Sequence, residues 1–83
     1  MQALGKESMN ERNNKYRLTP TEYKVLVEVV RGKTNPQIGL VLNISPHTVK
    51  IHVAKILEKF SVNNRIQATA KALRENLILT SDF

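Results

Sequence analysis

Residues 34–60 read TNPQIGLVLNISPHTVKIHVAKILEKF, two helix-forming runs hinged on a three-residue turn. The first opens at Thr34, whose hydroxyl can cap the amide near Gln37, while Pro36 sits in the first turn without losing a hydrogen bond. Ile38, Val41 and Leu42 are its candidates for burial, and Gly39 gives a neighbouring helix room for close approach. Leu42-Asn43-Ile44 supplies the turn, because asparagine tolerates the left-handed backbone needed between closely spaced helices. The second run opens on Ser45-Pro46, a cap followed by proline, and repeats apolar residues at Val49, Val53, Ile56 and Phe60. Intervals of four, three and four put these on one buried face. Rotating away from it leaves Lys50, Ile51, Ala54, Lys55 and Lys59 toward solvent, a cationic face interrupted by small and medium apolar groups.

Two further helices flank this pair. Thr19-Pro20-Thr21-Glu22 combines a cap hydroxyl, proline at the first helical position and a glutamate that can reach back to the cap, with Leu18 placed to pack on Tyr23. Leu26, Val29 and Val30 form its stripe, and Arg31-Gly32 closes it. A last helix begins at Asn64-Arg65-Ile66-Gln67 and runs to about Asn76, with Ile66, Ala70, Leu73 and Leu77 expected in the core. Ala68 and Ala72 fall on another side, where their size would admit a second helix, and are read as a dimer face, the alternative being ordinary helix-favouring filler. No alternating strand pattern of useful length occurs, so the expected class is all-α with four helices. Residues 1–17 are mostly polar and read as a flexible, slightly basic arm; residues 18–83 form the domain.

A chain of 83 residues makes one small domain whose core is modest. Its net charge of +6 and pI near 10 suit a polyanionic partner, although membranes and acidic proteins also attract basic surfaces. With no cysteine, disulfides, thiolate zinc sites and thiol redox switching are excluded, and His47 and His52 are too few to hold a metal unaided. No cofactor is expected. Neither is catalysis, for the sequence has no paired-carboxylate, nucleophile-and-base or phosphate-loop pattern. The N-terminus lacks the apolar core of a signal peptide, so the expectation is a cytoplasmic protein with no membrane partner.

Two helices joined by a short turn, the second capped and basic on its outer face, form the arrangement that places one helix in the major groove of DNA. Ser45, His47 and Thr48 at the capped start suit phosphates; Lys50, Ile51 and Ala54, one turn further in, suit base edges, lysine donating to guanine and the apolar groups touching a thymine methyl. Lys55 and Lys59 read as phosphate ligands. His52 is read as packed or bonded to nearby backbone rather than as a switch.

The stretches LTPTEYKVL, GKTNPQIGLVL, NISPHTVKIHVAKILEKF and SVNNRIQA follow one another in an order and spacing that resembles the LuxR-type DNA-binding domain, also described as GerE- or FixJ-like, over about three quarters of the chain. The resemblance implies a four-helix domain whose third helix reads double-stranded DNA and whose fourth pairs two subunits on repeated half-sites. It puts Lys50, Ile51 and Ala54 at base-facing positions, Thr48 and Lys55 beside them, and Asn35 where the supporting helix meets the DNA backbone. The chain departs from the family pattern at Ala54, where some relatives carry a longer polar residue, at Gly39 for alanine, at Thr21 for arginine and at Phe60 for leucine. The resemblance further implies a transcription regulator of the bacterial cytoplasm or nucleoid, with RNA polymerase as a further partner. Seventeen preceding residues are too few for a second domain, so the chain reads as a single-domain regulator or as the effector part of a longer one. The promoter-reading domain of a sigma factor shares the LTP opening but not SVNNRIQA. A protein-binding adaptor that kept the fold is the alternative of a different class.

Overall fold

Every helix starts where the sequence supplies a side-chain cap. The computed structural model describes residues 15–83 and holds four α-helices: α1 (Pro20–Val30), α2 (Asn35–Leu42), α3 (Pro46–Phe60) and α4 (Arg65–Arg74), followed by a short 3-10 turn at Thr80–Asp82. No strand occurs among the described residues. Thr19 accepts from the Glu22 amide at 3.1 Å while the Glu22 carboxylate accepts from the Thr19 amide at 3.0 Å. Thr34 and Gln37 repeat that reciprocal pair at 3.3 and 2.9 Å. Asn64 accepts from the Gln67 amide at 2.9 Å, whereas the Gln67 side chain reaches past Asn64 to the Asn63 amide at 2.7 Å. Such caps satisfy amides that a helix start otherwise leaves unpaired.

The exits rely on left-handed residues. Asn43 adopts φ 59° and ψ 46° between α2 and α3, as the turn requires, and Gly32 (φ 85°) follows α1. The turn closes onto Gly39: the Ile44 amide donates to the Gly39 carbonyl at 3.0 Å, and a Cβ on Gly39 would lie 2.5 Å from the Ile44 carbonyl oxygen. An alanine there would require the turn to stand further out.

The core gathers Leu18, Tyr23, Leu26, Val29, Ile38, Val49, Val53, Ile56 and Phe60 from the first three helices and the segment before them, with Leu77 and Ile78 from the C-terminal end. On α2 the buried side is centred on Ile38 and Gly39; Val41, expected inside, is exposed, because an eight-residue helix laid on α3 has room to bury only its contact line. On α4 the expected faces are exchanged. Ala68 and Ala72 are 1% exposed and lie in the subunit's own core, while Ile66 and Leu73 stand 78% and 54% exposed. The assignment of Ala68 and Ala72 to a dimer face is therefore corrected. Their small side chains do admit a close helix approach, but the helices approached belong to the same chain. Left-handed Asn76 (φ 54°) then turns the chain so that the Leu77 amide bonds the Ala72 carbonyl at 2.9 Å and Leu77 is buried.

The reading of an arm falls on residues outside the described range except for its last three, of which Tyr16 is packed against the core while Lys15 and Arg17 are exposed. The Tyr16 ring meets Phe60 at 4.9 Å between centroids, and its hydroxyl donates to Glu75 at 2.5 Å. Phe60 offers an aromatic surface that draws Tyr16 inward, so the folded unit starts before Leu18.

The C-terminal end is tied down by Tyr23. Its hydroxyl, on a ring 1% exposed, donates to Asp82 at 2.5 Å and accepts from the Leu79 amide at 3.0 Å. Burial and then the Asp82 hydrogen bond push its pKa up to about 12. Tyr23→Phe removes both bonds without opening a cavity, so urea unfolding is expected to report a loss of about 1–2 kcal/mol at unchanged m-value. An unchanged midpoint would show that the tether does not contribute.

Candidate nucleic-acid interface

α3 is held from one side and open on the other. Val49, Val53, Ile56 and Phe60 are buried, and on the opposite side Lys50, Ile51, Ala54 and Lys55 are exposed. The 3.6-residue period thus separates a fixed face from a free one within a single helix. Lys50 and Lys55 form no ion pair among the described residues, so both ammonium groups are free for an anion.

At the start of α3, Ser45 accepts from the Thr48 amide at 3.0 Å, and its oxygen lies 2.9 Å from the Thr48 hydroxyl. Those two hydroxyls are oriented by each other at the exposed, partially positive end of the helix. His47 is exposed in the same turn. Asn35 lies apart from this cluster, half-buried at the first position of α2, where its side-chain oxygen accepts from Arg65. Of the residues expected at the interface, Ser45, His47, Thr48, Lys50, Ile51, Ala54 and Lys55 share α3 and its cap.

Lys59 departs from that group. Its Nζ lies 2.6 Å from a Glu22 carboxylate oxygen and 2.8 Å from the Arg17 carbonyl. Glu22 is buried by its role in the α1 cap, and a buried carboxylate needs a counter-charge, so Lys59 is drawn inward and is not the free phosphate ligand expected from sequence. Glu58, exposed beside it, places negative charge at that end of α3. The usable cationic stretch accordingly ends near Lys55.

Burial pushes the Glu22 carboxyl up, but the Lys59 hydrogen bond, the Thr19 amide and the nearby positive charge of Lys59 together hold it below the usual carboxylate range. His52 is half-buried on α3 with its Nδ1 buried and without a hydrogen-bond partner among the described residues, so of the two expected arrangements, packed or bonded to nearby backbone, the ring takes the packed one. Glu75 is held lower still, at about 2, by the Tyr16 hydroxyl, Lys71 and Lys15.

Sequence reasoning missed Arg65 and Glu22. Arg65 donates to the Lys33 carbonyl at 3.0 Å and to the Asn35 side chain. A cation in the first turn of a helix opposes the dipole, and that mismatch was the available signal that Arg65 is held by something else. Glu22 was legible as a cap partner; only the folded chain brings Lys59 to it.

A family model described as bacterial regulatory proteins, luxR family, matches residues 16–72. This chain belongs to the luxR family. The match starts at Tyr16, the residue that packs on Phe60. An uncharacterized transcriptional regulatory protein, YhcZ, of Bacillus subtilis (strain 168) is 43% identical over 81% of this chain and 31% of its own length. The nitrate/nitrite response regulator protein NarP of Escherichia coli (strain K12) is 45% identical over 70% of this chain and 27% of its own. The transcriptional activator protein SolR of Ralstonia solanacearum is 43% identical over 74% and 26%. The chain thus spans less than a third of each of these relatives. The shared part is the helix-turn-helix DNA-binding domain of a family of transcription regulators, not of enzymes. Among the described residues, no helix is long and apolar enough to cross a membrane.

Two outcomes follow for the Glu22–Lys59 pair. Lys59→Ala strands the buried carboxylate, so a loss of about 1–3 kcal/mol is expected in urea unfolding, the lysine's partial exposure keeping it below the figure for a fully buried pair. The salt dependence of duplex binding should stay as in the parent; a slope smaller by about one unit would return Lys59 to the phosphate ligands. Because the Glu22 pKa is lowered on folding, its contribution is present above the unfolded carboxylate value of about 4.3 and is lost as pH falls through the folded one. Thermal midpoints should therefore drop steeply below about pH 4, and Glu22→Gln should remove part of that slope.

Proposed function

We propose that this chain binds double-stranded DNA sequence-specifically, with α3 in the major groove, and regulates transcription. One observation carries the reading: Lys50 and Lys55, free of ion pairs, flank Ile51 and Ala54 on the open face of a helix whose opposite face is core. A B-DNA major groove admits one helix, and this one can enter without breaking any packing. Lys50 donates to a guanine edge, Ile51 and Ala54 contact thymine methyls, and Lys55, Ser45, His47 and Thr48 meet phosphates. Asn35 meets the backbone from the start of α2. Such binding takes place in the bacterial cytoplasm or nucleoid, where RNA polymerase is the machinery to be influenced.

Pairing of two copies through α4 belongs to the same proposal, on a different surface from Ala68 and Ala72. Ile66, Ala70 and Leu73 make an exposed apolar stripe on that helix, beside a groove of roughly 420 Å³ lined by Val29, Val30, Ile66 and Ala70 among others. A second copy would bury the stripe, and half-sites would lie about one helical turn, ~10 bp, apart.

Selection of bound duplexes from a random pool tests the main claim: an enriched repeated motif is expected, and equal weak binding to every duplex would refute it. Lys50→Ala is expected to lose about 1–3 kcal/mol of preference for the selected base, whereas Lys55→Ala weakens all duplexes alike and lowers the salt slope by about one unit. Leu73→Glu should leave a single half-site bound as before while abolishing cooperative occupation of two, measured by gel shift. Retained cooperativity would move the pairing surface elsewhere.

A further inference from the structure

The Arg65 side chain makes two long-range hydrogen bonds that no helix start needs. From the first position of α4 it donates one guanidinium nitrogen to the Lys33 carbonyl at 3.0 Å and the other to the Asn35 side-chain oxygen. These acceptors stand on either side of Thr34, the residue that caps α2. The guanidinium fork therefore clamps the cap of α2 from both flanks, across 32 and 30 residues of sequence.

The identity of the atoms matters. Arginine has donors only, so the Asn35 group facing Arg65 must be its carbonyl oxygen, and the amide nitrogen must point away. That nitrogen has no partner among the described residues, and it is not among the buried atoms left unpaired, so it reaches solvent. The side chain is half-buried and held at its oxygen, which leaves its rotation restricted.

We propose that Arg65 is a positioning residue for DNA docking: it fixes the Asn35 carboxamide so that its nitrogen, and not its oxygen, faces the DNA backbone. The inference rests on the reading of Asn35 as a backbone contact. Arg65 itself commits one donor of each terminal guanidinium nitrogen to the protein, and in this proposal it acts through Asn35 and not on a phosphate. With the fork removed, Asn35 presents oxygen as readily as nitrogen, and an oxygen facing a phosphate repels it.

Arg65→Lys keeps the charge but cannot serve both acceptors, since one ammonium replaces a planar fork. The variant is expected to bind a single half-site several-fold more weakly, on the order of 5-fold, with unchanged salt slope and unchanged base preference. Combined with Asn35→Ala it should lose nothing further, because the two residues act through one contact. In the free protein, the Asn35 side-chain amide resonances should shift in Arg65→Lys, a readout that involves no DNA. Asn35→Asp is the second variant: a carboxylate pairs more strongly with Arg65, so the domain should unfold at higher temperature and yet bind duplex more weakly. Wild-type affinity in Arg65→Lys, additive losses in the double variant, or a salt slope reduced by one unit would each overturn the proposal. Failure of the wild-type domain to bind any duplex would instead refute the functional reading on which it rests.

Discussion

The structure depends on the contact between the inner face of α3 and the rest of the domain. Val49, Val53, Ile56 and Phe60 are buried where α1, α2 and α4 all meet α3, so this helix is both the centre of the core and the candidate reader of DNA. Fifteen residues give about four turns, enough for one face to be fully packed while the other remains open. Packing makes the helix rigid, and rigidity lets Lys50, Ile51 and Ala54 be presented in a fixed relative geometry. A reader on a mobile segment would lose that advantage to ordering entropy on binding.

Charge is organised by the same division. Where carboxylates are buried or half-buried, lysine and arginine serve them: Lys59 at Glu22, Lys33 and Arg31 at Glu28, Lys15 and Lys71 at Glu75. These cations are held by the protein. Lys50 and Lys55 have no such duty, and their positive charge is available to a polyanion. Counting basic residues along α3 would overstate the interface, because Lys59 is neutralised by a glutamate 37 positions earlier in the chain.

α4 carries two relations at once. Its alanine side lies against its own subunit, which brings Arg65 within reach of the start of α2, and its Ile66–Leu73 side is left bare. Small residues are the ones that permit the close approach, so the bulky apolar residues are the ones left outside. A stripe of that kind on a small domain has an unfavourable exposure that a second surface can relieve.

Local rules were sufficient for much of this. The caps at Thr19, Thr34, Ser45 and Asn64, the left-handed Asn43 and the buried stripe of α3, whose successive members are three or four positions apart, all depend on near neighbours along the chain, and each was legible from the sequence. The resemblance carried the domain's family, because four motifs keep the family's order and spacing despite the departures at Thr21, Gly39, Ala54 and Phe60. The face of α4 that packs, the partner of Lys59, the inclusion of Tyr16 and the fork of Arg65 were decided by tertiary structure. The physical reason is common to all four: helical periodicity says which residues share a side, but not which side meets another helix, and a charge on a surface helix is free or neutralised according to what lies opposite. The sequence by itself determined where each helix begins and which residues share a side; the fold decided which of its lysines remain free of a carboxylate.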